Sequence, residues 1–273
     1  MVNCPLYYNM YFVTYYSIKF MQKYILHVKG GIQILKKLIS SILIVSLAIS
    51  FSACGKSPKK EVDKGTVSTT SKTEDKDSKS DKKIDLGKSE GNIYKNEYFN
   101  MTINIPDKWV VATDEEKDAM IQVAKQAVAD NDKAKEKQLD YSLEKTVYLL
   151  ATSQKGLSVN DTSNPMFMAM AEKLDLMQGV VISDGKGYLE QVKKGLLAVN
   201  QIPYKFDKEI YTQKVANKDF YVLEGTVNNG DLKIVQKYYA AKMGNYVLAF
   251  IGTSYNEDQA KNIETIIKSI SFK

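Results

Sequence analysis

The fold is decided by residues 220–253, which read FYVLEGTVNNGDLKIVQKYYAAKMGNYVLAFIGT. Three extended segments within them are rich in β-branched and aromatic residues, which favour strands: 220–227, 232–243 and 246–253. Asn229-Gly230 and Gly244-Asn245 separate these segments, and such pairs are typical of tight hairpin turns. The pattern predicts an antiparallel meander, with a further strand over 204–215 in front of it.

Predicted helices flank this meander. Residues 257–270 place one apolar face over the sheet, formed by Ala260, Ile263, Ile266, Ile267 and Ile270. Residues 187–199 form a second helix with an aligned side of Tyr188, Val192 and Leu196. A third helix begins at Thr113, because Thr113 and Glu116 have the spacing of a capping box and apolar residues then recur at helical spacing to about residue 130.

Three more strands are predicted in the first half of this region, over 98–105, 146–152 and 166–174. One face of the first strand is apolar and consists of Phe99, Met101, Ile103 and Ile105. Pro106-Asp107 then turns the chain toward Trp109, which we expect in the core. The third strand has a methionine-rich face of Met166, Met168 and Met170, which forms either core or an adaptable apolar groove.

Together these elements predict a single α+β domain over 91–273, an antiparallel β-sheet flanked by helices. The domain resembles the PsbP-like family in three stretches: Asn96-Glu97-Tyr98-Phe99 leading to Ile105-Pro106-Asp107-Lys108-Trp109, then Tyr246-Val247-Leu248-Ala249-Phe250, then Ile267-Lys268-Ser269-Ile270-Ser271-Phe272. Lys108 departs from the glycine that is common before the tryptophan in that family. The resemblance implies an α/β/α sandwich, and it brings no catalytic residues with it.

Upstream of the domain, residues 35–53 look like a bacterial lipoprotein signal peptide. Lys36-Lys37 form the basic start, an apolar run of 16 residues follows, and the stretch ends in Phe51-Ser52-Ala53-Cys54. Cleavage between Ala53 and Cys54 would leave Cys54 to carry diacylglycerol. The apolar run is shorter than the roughly 20 residues of a spanning helix, which favours a lipid anchor over a transmembrane one.

The first 34 residues do not fit a signal peptide, because they are rich in tyrosine and precede the basic pair. Lys29-Gly30-Gly31 back-translates to a purine-rich sequence compatible with ribosome binding, and Leu35 is compatible with a TTG start codon. We therefore expect residues 1–34 to lie upstream of the translated protein, which would begin at position 35 read as Met.

Residues 54–90 are expected to form a lipidated, disordered tether. From Gly55 to Glu90 the chain is nearly all Lys, Ser, Thr, Asp, Glu and Gly, with ten lysines and eight acidic residues, and it has little to bury. A flexible chain of this length spans roughly 35 Å on average, so the domain can stand off the membrane.

The mature chain is close to neutral. Cleavage before Cys54 removes five lysines and no acidic residue, so the net charge of +6 falls to about +1. Nucleic-acid binding loses its electrostatic support, since it needs a basic surface that neutralises phosphates. The chain also has no arginine, and therefore no bidentate fork for phosphate or carboxylate recognition.

The same cleavage removes Cys4 and His27, the only histidine, and leaves Cys54 as the one thiol. Ser-His-Asp and Cys-His catalysis, disulfides and zinc sites built from His or Cys are thereby excluded from the mature chain. An enzyme would depend on carboxylates, Lys, Ser or Tyr, and no acidic pair stands out. We predict no catalytic residues, no metal ligands and no cofactor apart from the lipid on Cys54.

These observations predict a membrane-anchored extracytoplasmic lipoprotein with a PsbP-like binding or assembly domain, on the outer face of a cell membrane of Gram-positive type. The expected partners are the membrane, through the lipid anchor, and a protein, peptide or cell-wall ligand. The alternative is a carboxylate-dependent extracytoplasmic enzyme, which converging acids in a cleft would favour. A transport substrate-binding protein fits less well, because a single antiparallel domain lacks two lobes that close around a solute.

Overall fold

The computed structural model describes residues 84–129, 132–157, 161, 163–199, 202–229 and 232–273. Within these ranges the helices are α1 (Asp114–Ala129), α2 (Lys133–Glu144), α3 (Leu176–Val181), α4 (Gly185–Ala198) and α5 (Glu257–Ser269). The first strands are β1 (Lys88–Glu90), β2 (Ile93–Asn96), β3 (Met101–Asn104), β4 (Val110–Val111), β5 (Thr146–Ser153) and β6 (Met166–Lys173). The later strands are β7 (Tyr204–Lys205), β8 (Tyr211–Val215), β9 (Lys218–Asn229), β10 (Leu232–Met243), β11 (Tyr246–Ser254) and β12 (Ser271–Phe272).

The strands form two antiparallel sheets. The large sheet has the order β4-β5-β6-β11-β10-β9-β7, with β8 also paired to β9, and the small sheet has the order β1-β2-β3-β12. The predicted meander is confirmed, since β9, β10 and β11 are neighbours and Met243 pairs with Tyr246 across a two-residue turn. Gly244 in that turn has φ +64°, a conformation that glycine adopts without strain. The predicted α+β class with antiparallel pairing is therefore confirmed.

One face of the large sheet is covered by helices α1, α2 and α4. Their apolar residues form a single buried cluster with the inward side chains of β6, β10 and β11. The methionine-rich face belongs to this cluster, because Met166, Met168 and Met170 are all buried. The core interpretation of this face is thus confirmed, and the groove interpretation is wrong.

The opposite face of the large sheet is covered by α5 and by the small sheet. Ile263, Ile266, Ile267 and Ile270 are buried there as the helical spacing predicts, and Trp109 is buried as well. Helix α5 lies very close to β11 at Gly252, where an added Cβ would meet Cγ2 of Ile263 at 2.2 Å. The small sheet in this layer is a feature that the sequence did not predict.

The folded region begins earlier than the predicted boundary at Gly91. Ile84 is already buried, and β1 pairs with β2 through Lys88↔Lys95 and Glu90↔Ile93. The polar side chains of β1 gave no strand signal, because β1 is held by backbone pairing while its side chains face solvent. Most of the predicted tether, together with Ala53 and Cys54, lies outside the described residues.

Other elements differ from the sequence predictions in their limits. The strand expected over 204–215 is interrupted and forms β7 and β8, and the strand expected over 98–105 is limited to β3 because residues 97–100 form a turn. The short helix α3 was not predicted. In the part of the chain that the structure describes, no helix combines the length and apolar composition needed to cross a lipid bilayer.

Candidate functional site

A cleft of about 250 Å³ opens between the start of the domain and the β4–β5 edge of the large sheet. Its apolar walls come from Leu86, Val111, Leu149 and Leu150. Its polar groups come from Tyr94, Thr113, Asp114 and Lys117. The cleft therefore combines an apolar surface with charged groups supplied by the first turn of α1.

The first wall depends on a tight fold of residues 85–87 over Tyr94. Gly87 has φ +72°, and an added Cβ would lie 2.4 Å from the Tyr94 hydroxyl oxygen and 2.5 Å from the Lys95 carbonyl oxygen. The Tyr94 hydroxyl donates to the Leu86 carbonyl at 2.8 Å, and burial raises the pKa of Tyr94. Glycine at 87 is thus required for Leu86 to line the cleft.

The predicted capping box positions the charged end of the cleft. The Thr113 N–H donates to Oε2 of Glu116 at 3.0 Å, and the Glu116 N–H donates to Oγ1 of Thr113 at 3.2 Å, which confirms the box. One turn further, Lys117 Nζ lies 2.7 Å from Oδ1 of Asp114 and donates to the Tyr148 carbonyl at 3.3 Å. The ammonium of Lys117 is buried and already holds two oxygen acceptors.

This arrangement is suited to binding a small group. Asp114 and Lys117 compensate each other's charge, so a ligand would need to be neutral overall or to bring both charges. The volume lies below the roughly 300–1,000 Å³ of pockets that enclose a drug-sized molecule, which suits a side chain or the end of a larger partner. A hydroxyl beside an ion pair does not make an activated nucleophile, because the lysine amine is engaged and charged.

A second polar cluster lies under α4 and was missed by the sequence reasoning. Glu172 of β6 is only 1% exposed, and the hydroxyl of the buried Tyr188 donates to its Oε2 at 3.0 Å. Burial raises the pKa of Glu172 to about 8, although the Tyr188 hydrogen bond and the charge of Lys145 oppose the shift. The signal was present in the sequence, since Glu172 continues the alternation of Met168 and Met170.

The raised pKa of Glu172 is typical of catalytic acids, but its position is not. The carboxyl is sealed between β6 and α4, so a substrate cannot reach it without moving that helix. Lys145, the nearby cation, is engaged by Asp175 at 2.6 Å. Glu172 is therefore a structural group of the helix-covered face.

Several other carboxylates in the described ranges pair with lysines. Glu224 accepts from the Tyr211 hydroxyl at 2.6 Å and from Lys208 at 2.9 Å, and it lies 3.3 Å from Lys237. Burial alone would raise the pKa of Glu224, but these partners hold it below its usual value. Lys125 similarly pairs with Asp140 at 2.6 Å. This pairing gives no specific support to the carboxylate-enzyme alternative.

The residues predicted to be processed, Ala53 and Cys54, lie outside the described ranges, so lipidation of Cys54 stays a prediction. Among the residues that the structure does describe, no group of three or more His, Cys, Asp and Glu side chains is placed to hold a metal ion. The cleft residues were not predicted as a site, because they come from segments that are distant in sequence.

No protein-family model matches the sequence, and a search of characterised proteins gives no match. Solved structures with similar folds include cyanobacterial PsbP (CyanoP) from Synechocystis, at 12% identity and a TM-score of 0.40, over 69% of this chain and 99% of that one. They also include LpqN, involved in cell envelope biogenesis of Mycobacterium tuberculosis, at 8% identity and a TM-score of 0.36, over 63% of this chain and 82% of that one. A protein from Bacteroides thetaiotaomicron aligns at 11% identity and a TM-score of 0.34, over 64% of this chain but only 45% of its own length. At these values the likeness gives no indication of function.

Proposed function

We propose that this protein is a membrane-anchored extracytoplasmic lipoprotein whose domain binds a partner, either a protein, a peptide or a cell-wall ligand. The observation that carries the proposal is the cleft at the start of the domain. It combines the apolar side chains of Leu86 and Val111 with polar groups whose charges are balanced by the Asp114–Lys117 pair, and the segment that follows the tether supplies Leu86 to it.

The anchoring part of the proposal rests on the sequence around Cys54. A signal-like stretch ends at Ala53-Cys54, and the folded region begins 30 residues later at Ile84. A flexible segment of that length reaches roughly 30 Å on average. The two or three acyl chains of a bacterial lipoprotein would hold the chain stably, since each buried methylene contributes about 0.8 kcal/mol.

The binding part is supported by how the polar groups are used. In the cleft, the charged atoms of Asp114 and Lys117 hold each other at 2.7 Å. The carboxyl of Glu172, whose pKa is strongly raised, is buried under α4. Binding in the cleft requires only that a partner cover Leu86 and Val111, whereas catalysis would require a reactive group that faces a substrate.

In-cell crosslinking of the native lipoprotein, followed by mass spectrometry, tests the binding function. Leu86→Lys places a charge on the wall of the cleft, and Ile93→Lys is the matched control on the neighbouring strand, because the two residues are 47% and 41% exposed. We expect one abundant partner that is lost with Leu86→Lys and kept with Ile93→Lys. Absence of a reproducible partner, or equal loss with both variants, would contradict the proposal.

Anchoring is tested separately with Cys54→Ala. We expect this variant to lose incorporation of labelled fatty acid and to appear as uncleaved precursor or as released protein. Membrane retention of fully processed Cys54→Ala protein would refute the lipid anchor but not the binding function of the cleft.

A further inference from the structure

Two neighbouring valines project from the short helix α3. Val180 is 81% exposed and Val181 is 68% exposed, which makes them conspicuous among the large apolar residues at the surface. The ring of Tyr141 is also exposed, and its centroid lies 3.9 Å from Nζ of Lys145. Lys145 in turn pairs with Asp175, the N-cap residue of α3. Val180 and Val181 are called the valine tip, and Tyr141 lies near the cap at which α3 begins.

The valine tip is held rigidly. Asp175 and Gln178 form a capping box at the start of α3, with the Gln178 N–H donating to Oδ1 of Asp175 at 2.7 Å. At the other end, Nζ of Lys242 donates to the carbonyls of Gly179 at 3.1 Å and Ile182 at 2.8 Å. Exposure of the valines is thus imposed by bonds at both ends of α3 and does not result from a loose loop.

The valine tip lies at the end of the large sheet where the β10–β11 turn is found. The Leu174 N–H, just before α3, donates to the carbonyl of Asn245 in that turn at 2.9 Å. Lys242, two residues before the turn, binds the carbonyls of Gly179 in α3 and of Ile182 just after it. Both contacts fix α3 to this end.

The start of the domain reaches the same end from the opposite face of the sheet. The ring of Tyr246, directly after the turn, lies 5.7 Å from that of Tyr98 and 6.5 Å from that of Phe99. The Phe99 N–H donates to Oδ1 of Asn96 at 3.0 Å, and Nδ2 of Asn96 donates to the carbonyl of Asp85 at 2.9 Å. The chain that comes from Cys54 therefore joins the domain at the end that carries the valine tip.

We propose that the valine tip inserts into the lipid surface of the membrane that carries the anchor, so that the domain lies with this end toward the bilayer. The anchor belongs to the proposed function, whereas the insertion rests on the geometry of α3. Nζ of Lys242 bonds the carbonyls of Gly179 and Ile182, so a positive charge stands beside the valine tip. Apolar side chains beside lysines and an exposed tyrosine are the composition of surfaces that lie in the membrane interface.

The two valines give a weak contact by themselves. Transfer of one exposed valine side chain into an apolar environment strengthens partitioning by roughly tenfold, so both together supply about a hundredfold. A tether of some thirty residues keeps the domain at a millimolar-scale effective concentration near the bilayer, and under that condition a weak contact is populated.

The test uses the mature chain with Cys54→Ser, which has no lipid, and vesicles of phosphatidylcholine with one third phosphatidylglycerol. Binding is measured by flotation at increasing lipid concentration. The test variant is the double substitution Val180→Asp with Val181→Asp. The control is Leu197→Asp, because Leu197 is 54% exposed near the end of α4, toward the opposite end of the sheet.

We expect the double variant to bind vesicles at least tenfold more weakly than the unsubstituted chain. Leu197→Asp should bind vesicles as strongly as the unsubstituted chain does. Val180, Val181 and Leu197 are all exposed, so these substitutions should leave the fold intact. Equal binding by the double variant, an equal loss with Leu197→Asp, or no binding of the unsubstituted chain at millimolar lipid would overturn the proposal. Since no lipid anchor is present, the result does not depend on whether Cys54 is acylated.

Discussion

The two faces of the large sheet are both buried, but they are built from different chemistry. The face under α5 and the small sheet is dominated by aromatic rings, with Phe250 stacked between Phe167 at 6.0 Å and Phe220 at 5.2 Å. The face under α1, α2 and α4 contains buried polar groups among its apolar residues, including Glu172 and Gln236. The aromatic face should therefore contribute stability that is independent of pH. The helix-covered face should make the free energy of unfolding depend on pH and on buried hydrogen bonds.

The polar groups of the helix-covered face also connect strands that are far apart in sequence. The hydroxyls of Tyr204 and Tyr238 both donate to Oε1 of Gln236 at 2.6 Å. Nε2 of Gln236 donates to Oγ1 of Thr253 at 3.1 Å. These bonds link β7, β10 and β11. A one-residue slip of any of these strands would turn its own hydrogen-bonding side chain to the other face of the sheet.

The largest effect is expected from Phe250→Ala on the aromatic face. The variant removes a fully buried ring and leaves a cavity, so the free energy of unfolding should fall by roughly 3–5 kcal/mol. Urea unfolding at pH 5 and pH 8 measures it, and the loss should be the same at both values. Exposed Val110→Ala is the control. A loss that differs strongly between the two pH values would contradict the comparison of the faces.

The next effect concerns the pH dependence that Glu172 gives to the helix-covered face. Between pH 4.5 and 8 the folded chain retains a proton on Glu172 that the unfolded chain has released, because burial raises the folded pKa from 4.5 to about 8. Stability from this group is therefore fully present below pH 4.5 and is lost as pH rises to about 8, by up to about 5 kcal/mol. Glu172→Gln keeps an acceptor for Tyr188 and should flatten this slope.

The measurement for Glu172→Gln is urea unfolding at half-unit steps from pH 5 to pH 9. The exposed Glu90→Gln controls for the simple loss of one carboxylate. If the unsubstituted chain and Glu172→Gln give parallel curves, Glu172 is ionised in the folded protein and the assignment is wrong.

A smaller loss is expected from Gln236→Met, which keeps the volume of the side chain but removes the acceptor shared by two tyrosine hydroxyls. The free energy of unfolding should fall by about 2 kcal/mol, because buried hydroxyls lose a hydrogen bond without gaining one from water. Tyr238→Phe removes one donor and leaves Gln236 bonded to Tyr204, so it should cost about half as much. Thermal unfolding of both variants compares them, and a costlier Tyr238→Phe would show that the amide is not the centre of the network.

The smallest effect should have the opposite sign. Oγ of Ser153 is buried on the helix-covered face and has no hydrogen-bond partner among the residues that the structure describes. Ser153→Ala removes this unsatisfied group and should raise the free energy of unfolding by about 1 kcal/mol. Its neighbour Thr152 donates to the Val110 carbonyl at 2.9 Å, so Thr152→Val should lower stability instead. Calorimetry on both variants tests the pair, and a destabilising Ser153→Ala would indicate a partner for that hydroxyl.

Local patterns predicted most of the fold, because they are set by neighbours in the sequence. The alternation in β6, the helical face of α5 and the capping box at Thr113 each depend on spacings of two to four residues. β1 escaped prediction because it is polar and is stabilised by pairing with β2, and α3 because six residues do not establish a period.

The site was less predictable than the fold for the same physical reason. The cleft joins Leu86, Val111, Lys117 and Leu149, which only the paired sheets bring together. The alternation along β6 was enough to predict which face Glu172 lies on, but its raised pKa depends on the helix that covers it. Processing at Cys54 stays a prediction, and it was made from sequence alone because a processing signal is a linear motif.

Under the proposed anchoring, the early start of the fold would restrict where a protease can cut and still release an intact domain. β1 and the turn at Gly87 belong to the folded unit, and Tyr94 depends on the carbonyl of Leu86 for its hydrogen bond. A protease that cuts at Gly91 would strip an edge strand from the small sheet and remove a wall of the cleft. Only cleavage before Ile84 would release a soluble form that keeps both, so an intact shed form should carry its new N-terminus upstream of that residue.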